Sequence, residues 1–184
     1  FQAAKTDMPK FILKITAESA ENCIDEKNVE CFILSASLPE DCLGRIIRKI
    51  EAAGKIALLE GEDAAALAVK LGTDGIVADL SASTAIKKEM AALRRQLGRR
   101  FLGVICRSRR HEAMIVSENE PDFVVFRIWN EGAEKTKALA DWYAEFFLLQ
   151  TAVEPMDGSV DFSAWPADMV ILSPEDYKIL VAKK

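Results

Sequence analysis

Two groups of side chains in this sequence are of types that do chemistry. The first is acidic and comprises Glu60, Glu62, Asp63 and Asp79. Each closes or directly follows a short apolar run. Together they can hold Mg²⁺ through one or two carboxylates, with water completing the shell. Glu62 and Asp63 are the metal candidates of this group. Acids at that position also serve as first-turn residues of a helix, where they face its positive end. The second group is cationic: Arg107, Arg109, Arg110 and Arg127. The guanidinium fork matches phosphate and carboxylate oxygens, so arginines from two neighbouring runs can clamp a small anion. A solvated basic loop paired with nearby acids is the alternative reading. Asn130 and Ser173 stand at the ends of further runs and complete the candidate ligand-binding set. His111 is the single histidine, and no partner is fixed for it. No glycine-rich phosphate loop, zinc-protease helix or nucleophile elbow is present, so no catalytic residue is assigned.

The elements that must position these residues follow from the apolar pattern. Eight short runs are near-continuously hydrophobic: 11–16, 30–36, 55–61, 75–80, 101–107, 123–129, 147–153 and 169–173. Unbroken apolar runs of this length are expected of strands buried on both faces of a parallel sheet. Helical segments separate them. Pro39-Glu40-Asp41 opens one, which Gly54 closes. The span 62–71 is alanine-rich and ends at Gly72. The span 84–97 carries Ile86, Met90, Leu93 and Leu97 on one stripe. The span 136–146 carries Leu139, Trp142, Tyr143 and Phe146, and a weaker pattern covers 109–119. The stretch 154–166 reads as a loop with at most one helical turn. Asp74, Asp122 and Asp168 each stand one residue before a strand, 48 and 46 residues apart. That is about two strand–helix units each. Eight strands alternating with helices imply one compact, single-domain α/β fold over residues 1–184, a (β/α)₈ TIM barrel, with a doubly wound open sheet as the rival.

In such a barrel chemistry sits at the C-terminal strand ends. The third strand delivers Glu60, Glu62 and Asp63, and the fourth Asp79 and Ser81. The fifth delivers Cys106, Arg107, Ser108, Arg109, Arg110 and His111, and the sixth Arg127 and Asn130. The seventh delivers Gln150 and Glu154, and the eighth Ser173.

The net charge of −5 argues against a general nucleic-acid binder. No apolar run reaches the roughly 18 residues of a membrane span. Cys23, Cys31, Cys42 and Cys106 form no C-x-x-C pair and read as reduced core thiols of a cytoplasmic protein. The chain opens at Phe1 rather than Met, so further residues upstream are expected.

The stretch from Glu62-Asp63 through the alanine-rich helix to Gly72-Thr73-Asp74-Gly75-Ile76-Val77 resembles thiamine-phosphate synthase and its relative, the thiazole tautomerase. That family reads Asn-Asp, an alanine-rich helix, then Gly-Ala-Asp-Gly-Val-His at the same spacing. Leu102-Gly103-Val104, Pro121-Asp122-Phe123-Val124-Val125 and Ala167-Asp168-Met169-Val170 are similar to later strands of the family. The segment Asp141-Trp142-Tyr143-Ala144-Glu145 is similar to a divergent alphaproteobacterial branch. The resemblance spans roughly residues 30 to 175. It implies a transferase that joins an aminopyrimidine pyrophosphate to a thiazole phosphate with Mg²⁺, and a tendency to form homo-oligomers.

Carried over residue by residue, the match is sparse. The metal-binding Asp corresponds to Asp63, but the Asn before it is Glu62, and the second acid falls at Ala82. The family's His falls at Val77, its glutamine at Leu80 and its serine at Ile105. The charged group of the second strand falls within 34–38, which carries no charge. The Thr-x-Thr-Lys loop after the sixth strand is absent. The glycine-rich phosphate loops after strands seven and eight become Val153-Glu154-Pro155 and Leu172-Ser173-Pro174. Glycine lets backbone N–H groups approach an anion, whereas proline removes a donor. The expectation is therefore a family barrel without pyrophosphate-displacing activity that binds a small, phosphorylated ligand or a partner. The alternative is an active, divergent thiamine-phosphate synthase.

Overall fold

The computed structural model describes residues 9–157 and 163–183. Its eight strands are β1 (Lys10–Ile15), β2 (Val29–Ser35), β3 (Ile56–Glu60), β4 (Gly75–Asp79), β5 (Phe101–Ile105), β6 (Phe123–Ile128), β7 (Gln150–Pro155) and β8 (Met169–Leu172). Each pairs in parallel with the next, and β8 pairs with β1, so the sheet closes into a barrel. The open-sheet alternative is excluded by that closure.

The helices are α1 (Glu40–Ala52), α2 (Ala64–Leu71), α3 (Ile86–Leu97), α4 (Arg110–Glu118), α5 (Ala133–Phe146) and α6 (Pro174–Ala182), with a 3₁₀ helix at Glu18–Asp25 between β1 and β2. Five of these correspond to expected helical segments; the 3₁₀ helix and α6 are new. α6 begins where Ser173 caps it, its hydroxyl accepting from the Asp176 N–H at 3.1 Å, with Pro174 in the first turn. Residues 158–162, within the expected loop, lie outside the described residues. On either side of them the chain is strand through Pro155 and a turn at 163–165.

β7 differs from expectation at its start. The run Phe147-Leu148-Leu149 looks like strand by hydrophobicity, but these residues only link α5, which ends at Phe146, to a strand that begins at Gln150. Gln150 therefore opens β7 at the N-terminal rim and lies at the opposite end from the expected site.

Two apolar clusters organise the core. One lies between strands and helices and includes Leu13, Phe32, Leu59, Val104, Phe126 and Tyr143. There the Tyr143 hydroxyl meets Ser117 Oγ at 2.5 Å and its ring meets Phe126 edge-on. The other fills the barrel and includes Ile12, Ile33, Leu58, Val77, Ile105, Val125, Ala152 and Ile171. These residues alternate along each strand with the outward set, as the two-residue period of a strand requires.

The repeated aspartates have one structural role. Asp74, Asp122 and Asp168 accept backbone N–H bonds from Ala57, Leu102 and Thr151 at 2.9, 2.7 and 3.0 Å. Their own N–H groups donate back to the carbonyls of those same residues. Each aspartate thus clasps the start of the preceding strand, so β3–β4, β5–β6 and β7–β8 are fastened at the N-terminal rim. Without the carboxylate, a strand-end N–H would lack its partner.

Candidate functional site

Each strand places one aliphatic residue in the middle layer of the barrel: Ile12, Ile33, Leu58, Val77, Ile105, Val125, Ala152 and Ile171. Two positions further along come Lys14, Ser35, Glu60, Asp79, Arg107, Arg127, Glu154 and Ser173. All of these are polar. The barrel is therefore dry in its middle and polar at the C-terminal rim, where barrel chemistry is sited.

Five members of this rim form an ion-pair network. Glu60 and Glu154 each lie between Lys14 and Arg127. Lys14 Nζ is 2.6 Å from Glu60 and 3.0 Å from Glu154. Arg127 reaches Glu60 at 2.5 Å and Glu154 at 3.2 Å. The third edge of the guanidinium meets Asp79 at 3.1 Å. Asp79 also accepts from the backbone N–H and hydroxyl of Ser81. The side chains of Glu60 and Glu154 are only 12% and 9% exposed, whereas Asp79 is 44% exposed. Four charges thus close a neutral ring, and Asp79 hangs from its solvent side.

The electrostatics follow from this geometry. Burial alone would lower the affinity of Arg127 for its proton, but the carboxylates of Glu154, Glu60 and Asp79 outweigh it and hold the proton more tightly than usual. Burial pushes the Asp79 carboxyl up. The Ser81 hydrogen bonds and the Arg127 charge outweigh that effect and hold it below the usual carboxylate range.

The remaining rim residues are engaged differently. Ser35 Oγ lies 2.6 Å from Ser37 Oγ. Ser173 caps α6. The Arg107 guanidinium is exposed and makes no hydrogen bond or ion pair with another described residue. Arg109 is exposed on the same loop, just before α4. Arg110 lies over the Trp142 ring, 5.0 Å from its centroid. The structure thus brings Arg127 to the acids and Arg110 to an indole, and leaves Arg107 and Arg109 in solvent. Asn130 follows β6, its backbone N–H donating to Asp157 at 2.9 Å. His111 is exposed in the first turn of α4.

Of the acids considered for Mg²⁺, Glu60 and Asp79 have their oxygens committed to cations and Ser81. Glu62 and Asp63 are exposed on the loop from β3 to α2. Among the described residues, no three His, Cys, Asp or Glu side chains converge on a metal position. A Mg²⁺ would have to be held by Glu62 or Asp63, whose carboxylates are exposed and uncommitted, with water completing its shell.

The usual phosphate position of a barrel lies after strands seven and eight, at the N-terminus of a short helix. Here β7 ends at Pro155, and α6 starts with Pro174, Glu175 and Asp176 behind the Ser173 cap. One donor is missing, another is already bonded to Ser173, and two acids repel an incoming anion.

Lys14 is the member of the network that sequence reasoning missed. A signal was present, for it is the only charge in the run Phe11-Ile12-Leu13-Lys14-Ile15, two residues after an inward isoleucine. A lysine inside a strand buried on both faces needs a polar destination.

The closed parallel sheet and its alternating helices define the (β/α)₈ barrel class. No family model matches the chain, and no curated protein is similar to it. Solved structures are. An N-acetylneuraminic acid synthetase from Leptospira borgpetersenii matches with a TM-score of 0.70 at 7% identity, over 96% of this chain and 82% of that one. A tryptophan synthase from M. tuberculosis matches at 0.67 and 13% identity, over 95% and 86%. The 3-keto-L-gulonate-6-phosphate decarboxylase of Vibrio cholerae matches at 0.63 and 8% identity, over 96% and 99%. At these identities the likeness shows the barrel and nothing about the reaction. No helix among the described residues is long and apolar enough to cross a membrane.

Proposed function

We propose that this barrel binds a small anionic molecule, of the carboxylate or phosphate type, over its C-terminal rim, and does not catalyse the pyrophosphate displacement of thiamine-phosphate synthase. The observation that carries the reading is the state of the eight rim residues. Seven are engaged with other residues of the chain, and Arg107 alone offers an uncommitted charge. Arg109 on the same loop adds a second cation, and Asn130 stands at the end of the neighbouring strand. Displacing pyrophosphate demands several cations or a metal free to neutralise the leaving group. Lys14 and Arg127 are held by the chain's own carboxylates, and the phosphate-loop positions carry proline.

The test has two arms. Purified protein is incubated with Mg²⁺, the aminopyrimidine pyrophosphate and the thiazole phosphate, and thiamine phosphate is measured. No product above the protein-free control is expected. Product that disappears in Asp63→Ala would overturn the reading in favour of an active, divergent synthase. In the second arm, thermal unfolding is followed with phosphate, pyrophosphate and small carboxylates. A ligand at a hundredfold excess over its Kd stabilises by about 2.7 kcal/mol. Such a shift should vanish in Arg107→Ala. Absence of any shift across the anions would refute anion binding.

A further inference from the structure

An aromatic side chain stands at the barrel mouth beside the uncommitted arginine. Trp129 directly follows β6 and is 52% exposed, with no hydrogen bond or ring contact to another described residue. Its direction follows from its neighbours. Ile128 is fully buried between the sheet and the helices. The β6–β7 pairing runs on past it, for the Ile128 carbonyl accepts from the Met156 N–H at 2.9 Å. Successive side chains of an extended chain alternate, so Phe123, Val125, Arg127 and Trp129 share the inward side. The indole is therefore one layer above Arg127, over the ring of ion pairs.

The distance to Arg107 follows from the register. β5 and β6 pair Val104 with Val124 and Ile105 with Val125, and the Cys106 N–H donates to the Val125 carbonyl at 3.3 Å. Continued by two residues, that register sets Arg107 opposite Arg127, and Trp129 lies two residues further on. Two steps of rise, about 7 Å, across one strand spacing of about 4.8 Å, put the Arg107 and Trp129 backbones roughly 8 Å apart. An arginine side chain and an indole can meet one small molecule over that gap.

Large apolar side chains scattered singly on a surface are ordinary. The others exposed on this chain lie on the outer helices or toward the N-terminal ends of the strands, as Phe101 and Leu148 do; among the described residues Trp129 alone is at the mouth. Below it the charges of Lys14, Glu60, Arg127 and Glu154 cancel. Arg107 thus sets the sign of what binds there, and the indole face sets its shape. Aromatic pairs gain beyond the apolar area that they cover.

We infer that the rim site takes an aromatic anion, a flat ring that stacks on Trp129 and carries one carboxylate or phosphate group to Arg107. This rests on the anion-binding reading of the rim and narrows it from any small anion to one with a ring.

The probes are phenyl phosphate, cyclohexyl phosphate and inorganic phosphate, with benzoate, cyclohexanecarboxylate and acetate as the carboxylate series. Each is titrated into the full chain and followed by NMR of the backbone and indole N–H groups. In the series that binds, the aromatic member should be about two- to tenfold tighter than its saturated match. It should shift the Trp129 indole N–H but not that of Trp142, which lies on the outer helices under Arg110. Trp129→Ala should erase the preference, bringing the aromatic anion down to the affinity of its saturated match, and Trp129→Phe should keep most of it. Arg107→Ala should weaken every member of the series. If aromatic and saturated anions bind alike, or if the preference survives Trp129→Ala, the inference is overturned while anion binding at the rim stands. If none of the six binds, the anion reading itself fails and the inference falls with it.

Discussion

Replacing Arg127 by methionine should destabilise the protein by about 2–4 kcal/mol at pH 7. The magnitude follows from the network. Methionine keeps most of the apolar stem, so the change is chiefly the loss of the charge. In the native rim, two cations face three carboxylates; after the substitution, Lys14 alone faces Glu60, Glu154 and Asp79. Breaking a fully buried pair costs about 3–5 kcal/mol, because the partner is left uncompensated. Arg127 is 21% exposed and Asp79 44%, so water returns part of that cost. For a protein of this size, each kcal/mol lowers Tm by about 2–4 °C. The fall should therefore be roughly 4–16 °C, read from circular dichroism melts and from urea unfolding. The deficit should narrow on acidification. In the variant, the crowded carboxylates hold protons more readily when folded than when unfolded, so they favour the fold at low pH and oppose it as pH rises. Adding Glu154→Gln should restore part of the stability, as a double-mutant cycle would show. A loss below about 1 kcal/mol, with no pH dependence, would mean that the rim pairs behave as ordinary surface ion pairs, and the reasoning would fail.

Four further outcomes are expected. Asp79 titrates below the usual carboxylate range, so its contribution is present above the unfolded-state value near 3.9 and is lost as pH falls through the folded-state value; acid unfolding of Asp79→Asn should show a shallower limb. A Cβ at Gly103 would collide with the Phe123 ring inside the barrel, so Gly103→Ala should cost roughly 1–3 kcal/mol in urea unfolding, with partial recovery in Gly103→Ala/Phe123→Leu. Asp122→Ala removes the acceptor of the buried Leu102 N–H and should cost about 1–3 kcal/mol, measurable as faster hydrogen exchange at Leu102. Burial raises the thiols of Cys31 and Cys106 to about 12 and that of Cys23 to about 11, and Cys42 is raised as well. A disulfide reagent at pH 8 should therefore react slowly with the native chain and with four thiols only after unfolding.

The barrel was legible because each strand is a continuous apolar run and each intervening helix carries a cap or a stripe. The rim was legible in part. Glu60, Asp79, Arg127 and Glu154 follow their inward aliphatic neighbours by two positions, and the strand period alone places them at the mouth. What the pattern does not encode is the partner of each charge. Arg127 looked like one arm of an anion clamp, yet the Asp79–Arg127 contact joins residues 48 positions apart and depends on the closure of the barrel. Lys14 was overlooked because the strand-end residues were read from the third strand onward, and it lies inside the first strand rather than after it. Gln150 was misplaced because three apolar residues after α5, Phe147-Leu148-Leu149, continue into the hydrophobic run of β7. The 3₁₀ helix at Glu18–Asp25 and α6 carry modest apolar signals, and their packing against β1 is set by the tertiary fold.

The three aspartate clasps at the N-terminal rim have a consequence for how this chain can change. They fasten strand pairs using residues 74, 122 and 168, none of which belongs to the polar rim at the other end. Register is thus written on one edge and ligand chemistry on the opposite one, with a layer of aliphatic side chains between. Substitutions at the mouth leave the three clasps in place, so a reaction can be abandoned or replaced while strand register is kept, at the stability cost of whichever ion pairs are lost. The same separation suggests where to randomise: libraries at positions 35 and 107, outside the ion-pair ring and the α6 cap, would test new chemistry while the clasps and the ring stay intact.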